Sequence, residues 1–315
     1  MAIQKRALGS SGIEVAPLAL GGNVFGWTAD EQASFRILDA FVDAGGNMID
    51  TADVYSAWVE GHHGGESETV IGRWLRSDPA KRDKVVIATK VGFMSGLAPG
   101  TIAAASEASL QRLGIEVIDL YYHHKDDPNV PLADSLGAMD ALVSAGKVRS
   151  IGLSQYSPER LEEAMRTVDE NGFERPSVLQ TWYNLVDRDK LEGPLSGAAL
   201  SNGLGIIPFY GLANGFLTGK YRSKADLGKS TRGSRVADYL DGNGPDVLDA
   251  LDRISAETGA PLAAIALAWT NAQPGIVATL ASATNVNQLE ELARSMELSL
   301  TGEQIRLLDE ASAYG

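Results

Sequence analysis

Short apolar runs alternate with longer amphipathic ones eight times along the chain. The runs are residues 15–21, 47–50, 85–90, 117–124, 148–154, 178–183, 205–210 and 276–281. They are short, rich in β-branched residues and apolar at successive positions. That pattern predicts strands of a parallel sheet buried on both faces. The stretches between them repeat with a helical period. Residues 30–43 place Phe35, Ile37, Leu38, Phe41 and Val42 on one stripe, and 101–113, 132–144, 158–168 and 286–296 behave alike. Ser157-Pro158 predicts an N-cap with proline in the first turn, and Pro261 is read the same way. Gly45-Gly46, Gly114 and Gly146 predict helix ends that need a left-handed residue.

Eight strand–helix units predict a (β/α)8 TIM barrel, occupying residues 1–315 as one domain. A doubly wound open sheet is the runner-up. It wants a glycine fingerprint after the first strand, and Gly21-Gly22-Asn23 is not one. Two connections are long: residues 54–65, glycine-rich, and 221–244, which carries Lys224, Lys229, Arg232 and Arg235. In a barrel both fall on the C-terminal face, where sites are built.

Charge narrows the partners. The sequence has 27 Lys+Arg against 41 Asp+Glu, a net of −14. Such a surface repels nucleic-acid and anionic membrane surfaces, so neither is an expected partner. There are no cysteines, which excludes disulfides and thiolate chemistry and fits a cytoplasmic setting. No metal site, signal peptide or membrane span is expected.

Four polar residues stand at the ends of strand-like runs: Asp50, then Tyr55 just beyond it, Lys90 and His124. Together they suit proton delivery to a carbonyl. A free tyrosine titrates near 10, and a neighbouring ammonium lowers that value while burial raises it. For Tyr55 to exchange protons near neutrality, Lys90 has to outweigh burial. Asp50 would hold Lys90, and His124 would donate to the carbonyl oxygen. Strand alternation puts Leu120, Tyr122 and His124 on one face and Tyr121 and His123 on the other. Pattern alone does not say which histidine points inward. Taken singly each residue is ordinary in its place; their joint occurrence carries the signal.

The surrounding words resemble the aldo-keto reductase family over essentially the whole chain. Leu8-Gly9-Ser10-Ser11-Gly12-Ile13-Glu14-Val15 is similar to the family's opening hairpin, which implies a β-hairpin plugging the barrel bottom. Asn47 to Tyr55 looks like its N-x-I-D-T-A-x-x-Y box. Gly65-Glu66-Ser67-Glu68 resembles a G-x-S-E helix start, and Ile118 to His124 resembles I-D-L-Y-x-x-H, which selects His124. Gly152-Leu153-Ser154, Gln180 to Asn184 and Gly215 to Tyr221 follow in order.

The resemblance implies reduction of an aldehyde or ketone, or the reverse, with NADPH favoured and NADH possible. It places Ser154, Gln155 and Gln180 at the nicotinamide carboxamide, with Gln155 where relatives carry asparagine. It places Phe209 under the nicotinamide ring beside Tyr210, and Gly22 and Asn23 near the cofactor. Gly211, Leu212, Ala213, Gly215, Leu217 and Lys220 fall on the pyrophosphate strap, where Gly211 replaces proline and is expected to loosen the turn. Ser282, Thr284, Asn285, Gln288 and Glu291 occupy the segment that holds the 2′-phosphate in relatives. A cation common there is missing, so Arg222, Arg232 and Arg235 are candidates to supply it. Phe25, Trp27, Trp58, Phe93, Trp182 and Tyr239 are expected to line an apolar carbonyl pocket. Two rival readings stay open: a nicotinamide-binding regulatory subunit resembling potassium-channel β subunits, and a Schiff-base aldolase using Lys90.

Overall fold

The computed structural model describes residues 3–229 and 235–314. An antiparallel hairpin opens the chain, β1 (Arg6–Ala7) with β2 (Glu14–Val15). Eight parallel strands follow: β3 (Leu18–Gly21), β4 (Met48–Asp50), β5 (Val86–Val91), β6 (Ile118–His123), β7 (Val148–Ser154), β8 (Val178–Trp182), β9 (Gly205–Phe209) and β10 (Thr279–Ala281). They lie side by side in sequence order, with β10 beside β3. Ile206 on β9 bonds to the segment leading into β10, through Gly275 O and Val277 N at 2.9 Å each, and this closes the ring.

The helices covering the barrel are α1 (Glu31–Asp43), α2 (Glu66–Ser77), α3 (Pro99–Leu113), α4 (Leu132–Ser144), α5 (Pro158–Asn171), α6 (Pro194–Ser201), α7 (Gly244–Thr258), α8 (Leu262–Asn271), α9 (Val286–Ala293) and α10 (Gly302–Ala311). Asp30 and Ser157 cap α1 and α5 through their side chains. Pro261 is the N-cap of α8 rather than its first helical residue. None of the described helices is long and apolar enough to cross a membrane.

Alternation sorts the strands' side chains. Ala19, Met48, Val86, Ala88, Leu120, Tyr122, Val178 and Ile207 pack inside the barrel, on the hairpin's Leu8, Ile13 and Val15. Leu20, Ile49 and Ile87 face outward into the layer under α1 and α2. Full burial of such aliphatic side chains contributes about 1.5–3 kcal/mol each. Tyr122 fits inside because its neighbour across the ladder is Gly152, where a Cβ would come within 2.3 Å of the ring.

The first apolar run, 15–21, is not one strand. Val15 pairs with Arg6 in the hairpin, and the barrel strand starts at Leu18. Pro17 divides them: it has no N–H for a ladder, and its carbonyl accepts from Thr279 N at 3.1 Å. The run 276–281 is divided likewise, into a bridge at Ile276 and strand β10.

Far from the strands' C-terminal ends, Asp119 on β6 serves stability. Its carboxylate accepts from Ile87 N at 2.8 Å and pairs with Arg82 and Arg149 at 2.8 Å each, while being 1% exposed. Asp119→Ala leaves a buried amide without its acceptor. It should lower unfolding free energy in a urea melt by about 2 kcal/mol, with turnover of the folded protein unchanged.

Candidate active site

The C-terminal ends of β4, β5 and β6 bring Asp50, Lys90 and His124 together. Asp50 and Lys90 are both fully buried, and the Lys90 ammonium contacts Asp50 Oδ1. It also donates to Thr51 O at 2.8 Å and Tyr55 Oη at 3.4 Å. Gln180 on β8 donates to the other Asp50 oxygen at 2.9 Å. His124 follows β6, with its backbone N–H bonded to Val91 O at 2.8 Å. Its ring lies 5.9 Å from that of Tyr55, centroid to centroid. His123 points the other way, where its Nδ1 meets Tyr156 Oη at 2.9 Å.

Tyr55 comes from a loop that sequence reasoning did not resolve. Glu66, first residue of α2, accepts from three backbone amides of that loop: Ser56 at 3.1 Å, His63 at 2.8 Å and Gly64 at 3.0 Å. Thr51 donates to Ser67 Oγ at 2.8 Å, and Ser67 to Gly22 O at 2.7 Å. The loop is thereby fixed at both ends. The signal was present in the sequence, since an acid in a helix's first turn seeks unpaired amides.

Burial pushes the Tyr55 phenol above its ordinary value, and the Lys90 charge opposes this without overcoming it. The expectation that the ammonium outweighs burial therefore fails in the free protein. Asp50 cancels much of the Lys90 field, and the phenol lies at the long end of hydrogen-bond range. Burial also works to strip Lys90 of its proton, but Asp50 and Tyr55 more than offset it and hold the amine above its usual value. His124 is driven well below the ordinary histidine value by burial, then by Lys90 and Lys125. It is a neutral ring at neutral pH, and its Nδ1 is buried without a partner. Asp53 is raised to about 6 by burial and the nearby Glu68, against the pull of Arg112.

Aromatic side chains surround this group. Trp58 packs edge-on to Tyr55 at 5.7 Å and to Trp27 at 5.9 Å. Phe93 sits 4.8 Å from the His124 ring, under the Lys125 ammonium at 4.9 Å. Trp58 and Phe93 are exposed, as is Met94, which the sequence reading passed over. Trp182 and Phe209 line a groove of about 430 Å3 with Gln155 and Pro158. Phe25 does not line a pocket: it is fully buried in the core under α1.

Several of the remaining candidate residues are suited to a nicotinamide cofactor. Ser154 Oγ is buried without a partner, as a residue awaiting a ligand's amide would be. Tyr210, Ala213 and Asn214 hold positive φ angles of 57°, 47° and 57°, and non-glycine strain of this kind clusters at ligand clamps. These features fit the group. Ala213 and Leu217 are fully buried. Gly211 does not loosen its turn. It is packed so closely that a Cβ would come within 2.5 Å of Thr279 and 3.0 Å of Leu267. Gln155, at φ 56°, donates a side-chain amide N–H to His124 O at 2.9 Å, tethering β6 to β7.

Around α9, Ser282 donates to Asn23 Oδ1 at 2.6 Å. Asn285 is the helix N-cap, and Gln288 Oε1 accepts from Thr284 N and Oγ1 at 2.9 and 3.0 Å. Glu291 is exposed on the same helix. Lys220 is exposed, with its ammonium 5.0 Å from the Tyr221 ring. Arg222 makes a two-point pair with Asp252 on α7 at 2.7 and 2.9 Å. Arg235 is exposed, and Arg232 lies outside the described residues.

The model of the Aldo/keto reductase family matches residues 17–313. The chain belongs to that family. It is 33% identical to the uncharacterized oxidoreductase YrpG of Bacillus subtilis (strain 168), over 96% of this chain and 94% of that one. It is 30% identical to L-glyceraldehyde 3-phosphate reductase of Escherichia coli (strain K12), over 99% and 93%. A probable voltage-gated potassium channel subunit beta of Arabidopsis thaliana is also 30% identical, over 94% and 92%. The fold and these relatives mark an oxidoreductase barrel of the carbonyl-reducing kind.

One pH effect follows from the histidine on the outer face of β6. Burial lowers His123 from 6.5 to about 4. A depressed value means its neutral form stabilises the fold fully above pH 6.5, and that stability is lost as pH falls towards 4. The shift corresponds to on the order of 3 kcal/mol. Thermal midpoints should drop steeply between those limits, and His123→Gln should flatten the drop. An unchanged slope in that variant would assign the effect elsewhere.

Proposed function

We propose that this protein interconverts an aldehyde or ketone and its alcohol by hydride transfer with NADPH, NADH being the weaker alternative. The observation that carries the reading is the chain of contacts Gln180–Asp50–Lys90–Tyr55 at the open end of the barrel, facing a neutral His124. The cofactor, when bound, supplies or takes the hydride. Ser154 and Gln180 would hold its amide and Phe209 its ring face. The 210–217 segment, with Gly22, Asn23 and the Ser282–Gln288 turn, would hold its phosphates.

The roles of the four residues follow from their environments. His124, neutral, donates one N–H to the carbonyl oxygen and orients it. Tyr55 gives its proton to that oxygen as negative charge develops on it. Lys90 then faces the tyrosinate and stabilises it, while Asp50 keeps the amine charged and in place. In the alcohol direction the same groups run in reverse. The aromatic wall of half-buried Trp27 with exposed Trp58 and Phe93 favours a substrate with an apolar body. The likeness to the channel subunit supports a second reading, a nicotinamide-binding protein acting through a partner. A turnover assay with a carbonyl panel separates the two. Lys90 leaves little room for an aldolase reading, because its ammonium is buried, charged and fully bonded; borohydride trapping checks it.

Tyr55→Phe keeps the ring and deletes the proton. Turnover should fall by at least about 100-fold with cofactor affinity nearly unchanged, and near-normal turnover would remove Tyr55 from the mechanism. His124→Ala should damage catalysis, while His123→Ala should act on thermal stability alone; the opposite pattern would reverse the assignment of the two rings. For the cofactor phosphate, NADPH affinity should weaken with salt more than NADH affinity, since exposed charge pairs are screened. Alanine at Arg222, Arg232 or Arg235 should erode the NADPH preference at one of them. If all three keep it, the Ser282–Gln288 turn is the better phosphate site.

A further inference from the structure

Lys125 follows His124 directly and is exposed, and none of the proposed roles in turnover uses it. Its ammonium lies 4.9 Å from the centroid of the Phe93 ring, and that ring lies 4.8 Å from the His124 ring. The cation is thus no farther from the Phe93 side of the histidine than those two distances together. Its charge reaches the imidazole, which Lys90 and Lys125 help burial to keep neutral. The base of the side chain is anchored, because Gln155 bonds His124 O, at the peptide that leads into Lys125. The contact with the aromatic face favours one placement of the ammonium.

In the sequence this lysine looks neutralised, since Asp126 and Asp127 follow it. The fold gives both acids other partners. Asp126 accepts from Arg160 Nε at 2.8 Å and Nη2 at 2.9 Å. Asp127 accepts from Leu97 N at 3.0 Å through one oxygen, and from Asn129 N and Nδ2 at 3.1 and 3.2 Å through the other. Asp127 feels the Lys125 charge, but less than it feels its own backbone hydrogen bonds. Among the described residues no carboxylate stands within ion-pair distance of Lys125. A chain of net −14 thus keeps an unpaired cation at the edge of its aromatic wall. Local potential there is positive, which raises the concentration of anions near the mouth.

We propose that Lys125 is a specificity-determining residue that selects carbonyl compounds bearing an anionic group, carboxylate or phosphate, one ring or a short chain away from the carbonyl. The proposal rests on reading His124 as the group that orients the carbonyl. Three contacts then follow one another outward: the carbonyl oxygen on His124, the apolar body on Phe93 and the anion on Lys125.

The test uses the full-length protein, saturating NADPH and three probes: 4-formylbenzoate, 4-formylphenyl phosphate and the neutral methyl 4-formylbenzoate. The ester resembles the carboxylate in size and carries no charge. In the wild type, kcat/KM for at least one anion should exceed that for the ester about fivefold, the size an exposed charge pair supports. The difference should lie mainly in KM, and added salt should shrink it. Lys125→Met keeps the stem over Phe93 and deletes the charge, so the anion and the ester should become equal. Lys125→Arg should restore the preference and Lys125→Glu should reverse it. Comparing substrates within each variant cancels whatever the lost charge does to His124. The anion with the larger advantage identifies the group the substrate carries. A preference that survives Lys125→Met unchanged would overturn the proposal. If the wild type reduces no carbonyl of a wider panel with either cofactor, the functional reading falls and this inference with it. Turnover of neutral carbonyls without any advantage for the anions sinks the inference alone.

Discussion

The buried ion pair of Asp50 and Lys90 is the constraint around which the open end of this barrel is arranged. Neither side chain reaches solvent. Burying two charges is costly unless every lone pair and proton finds a partner. Here each charged atom has one: Gln180 covers the second Asp50 oxygen, and Thr51 and Tyr55 take the other Lys90 protons. Those partners come from β4, β5, β8 and the loop after β4. The pair therefore fixes how the strand ends sit around the axis. It also divides the interior, with an apolar layer on the hairpin below and a polar layer above. Removing either charge strands the other.

The same pair sets the state of the tyrosine. An isolated ammonium 3.4 Å from a phenol would drive it towards phenolate. With Asp50 in contact, Lys90 presents a nearly balanced dipole, and burial keeps the proton on Tyr55. In the free protein the tyrosine is thus an acid holding its proton, and the charge beside it becomes effective only once that proton has gone. The neutral His124 fits this arrangement. A protonated ring beside Lys90 would add a second cation to a dry site, and burial together with Lys90 prevents it.

Much of this was legible in the chain because barrel strands repeat with period two. That period put Lys90 with Ala88 and Val86, and His124 with Tyr122, and the structure places those side chains on the inner face. The boundaries that failed did so at prolines and glycines with tertiary duties. Pro17 reads as part of an apolar run until its carbonyl is seen bonded to Thr279 across the seam. Gly211 reads as slack and is instead a close contact. Phe25 looks like an aromatic of the mouth yet is buried. Glu66 was overlooked although an acid in a helix's first turn is a visible signal, because no residue spacing says which three loop amides converge on it.

The proposed cofactor is a polyanion, and the protein has a net charge of −14. Among the described residues, two candidate partners for a phosphate at the open end are already committed. The Arg222 guanidinium is held by Asp252, and Thr284 is held by Gln288. Both arrangements are exposed, and an exposed ion pair is worth only about 0–1 kcal/mol. A dianionic phosphate offers charge-assisted bonds roughly twice as strong as neutral ones. On the proposed reading, recognition of a 2′-phosphate would be an exchange of partners, a carboxylate or an amide oxygen giving way to phosphate. Such an exchange yields only the difference between two similar interactions. The discrimination between NADPH and NADH should accordingly be modest and depend strongly on salt, in contrast to the tetrad, whose charges are buried and which salt does not reach.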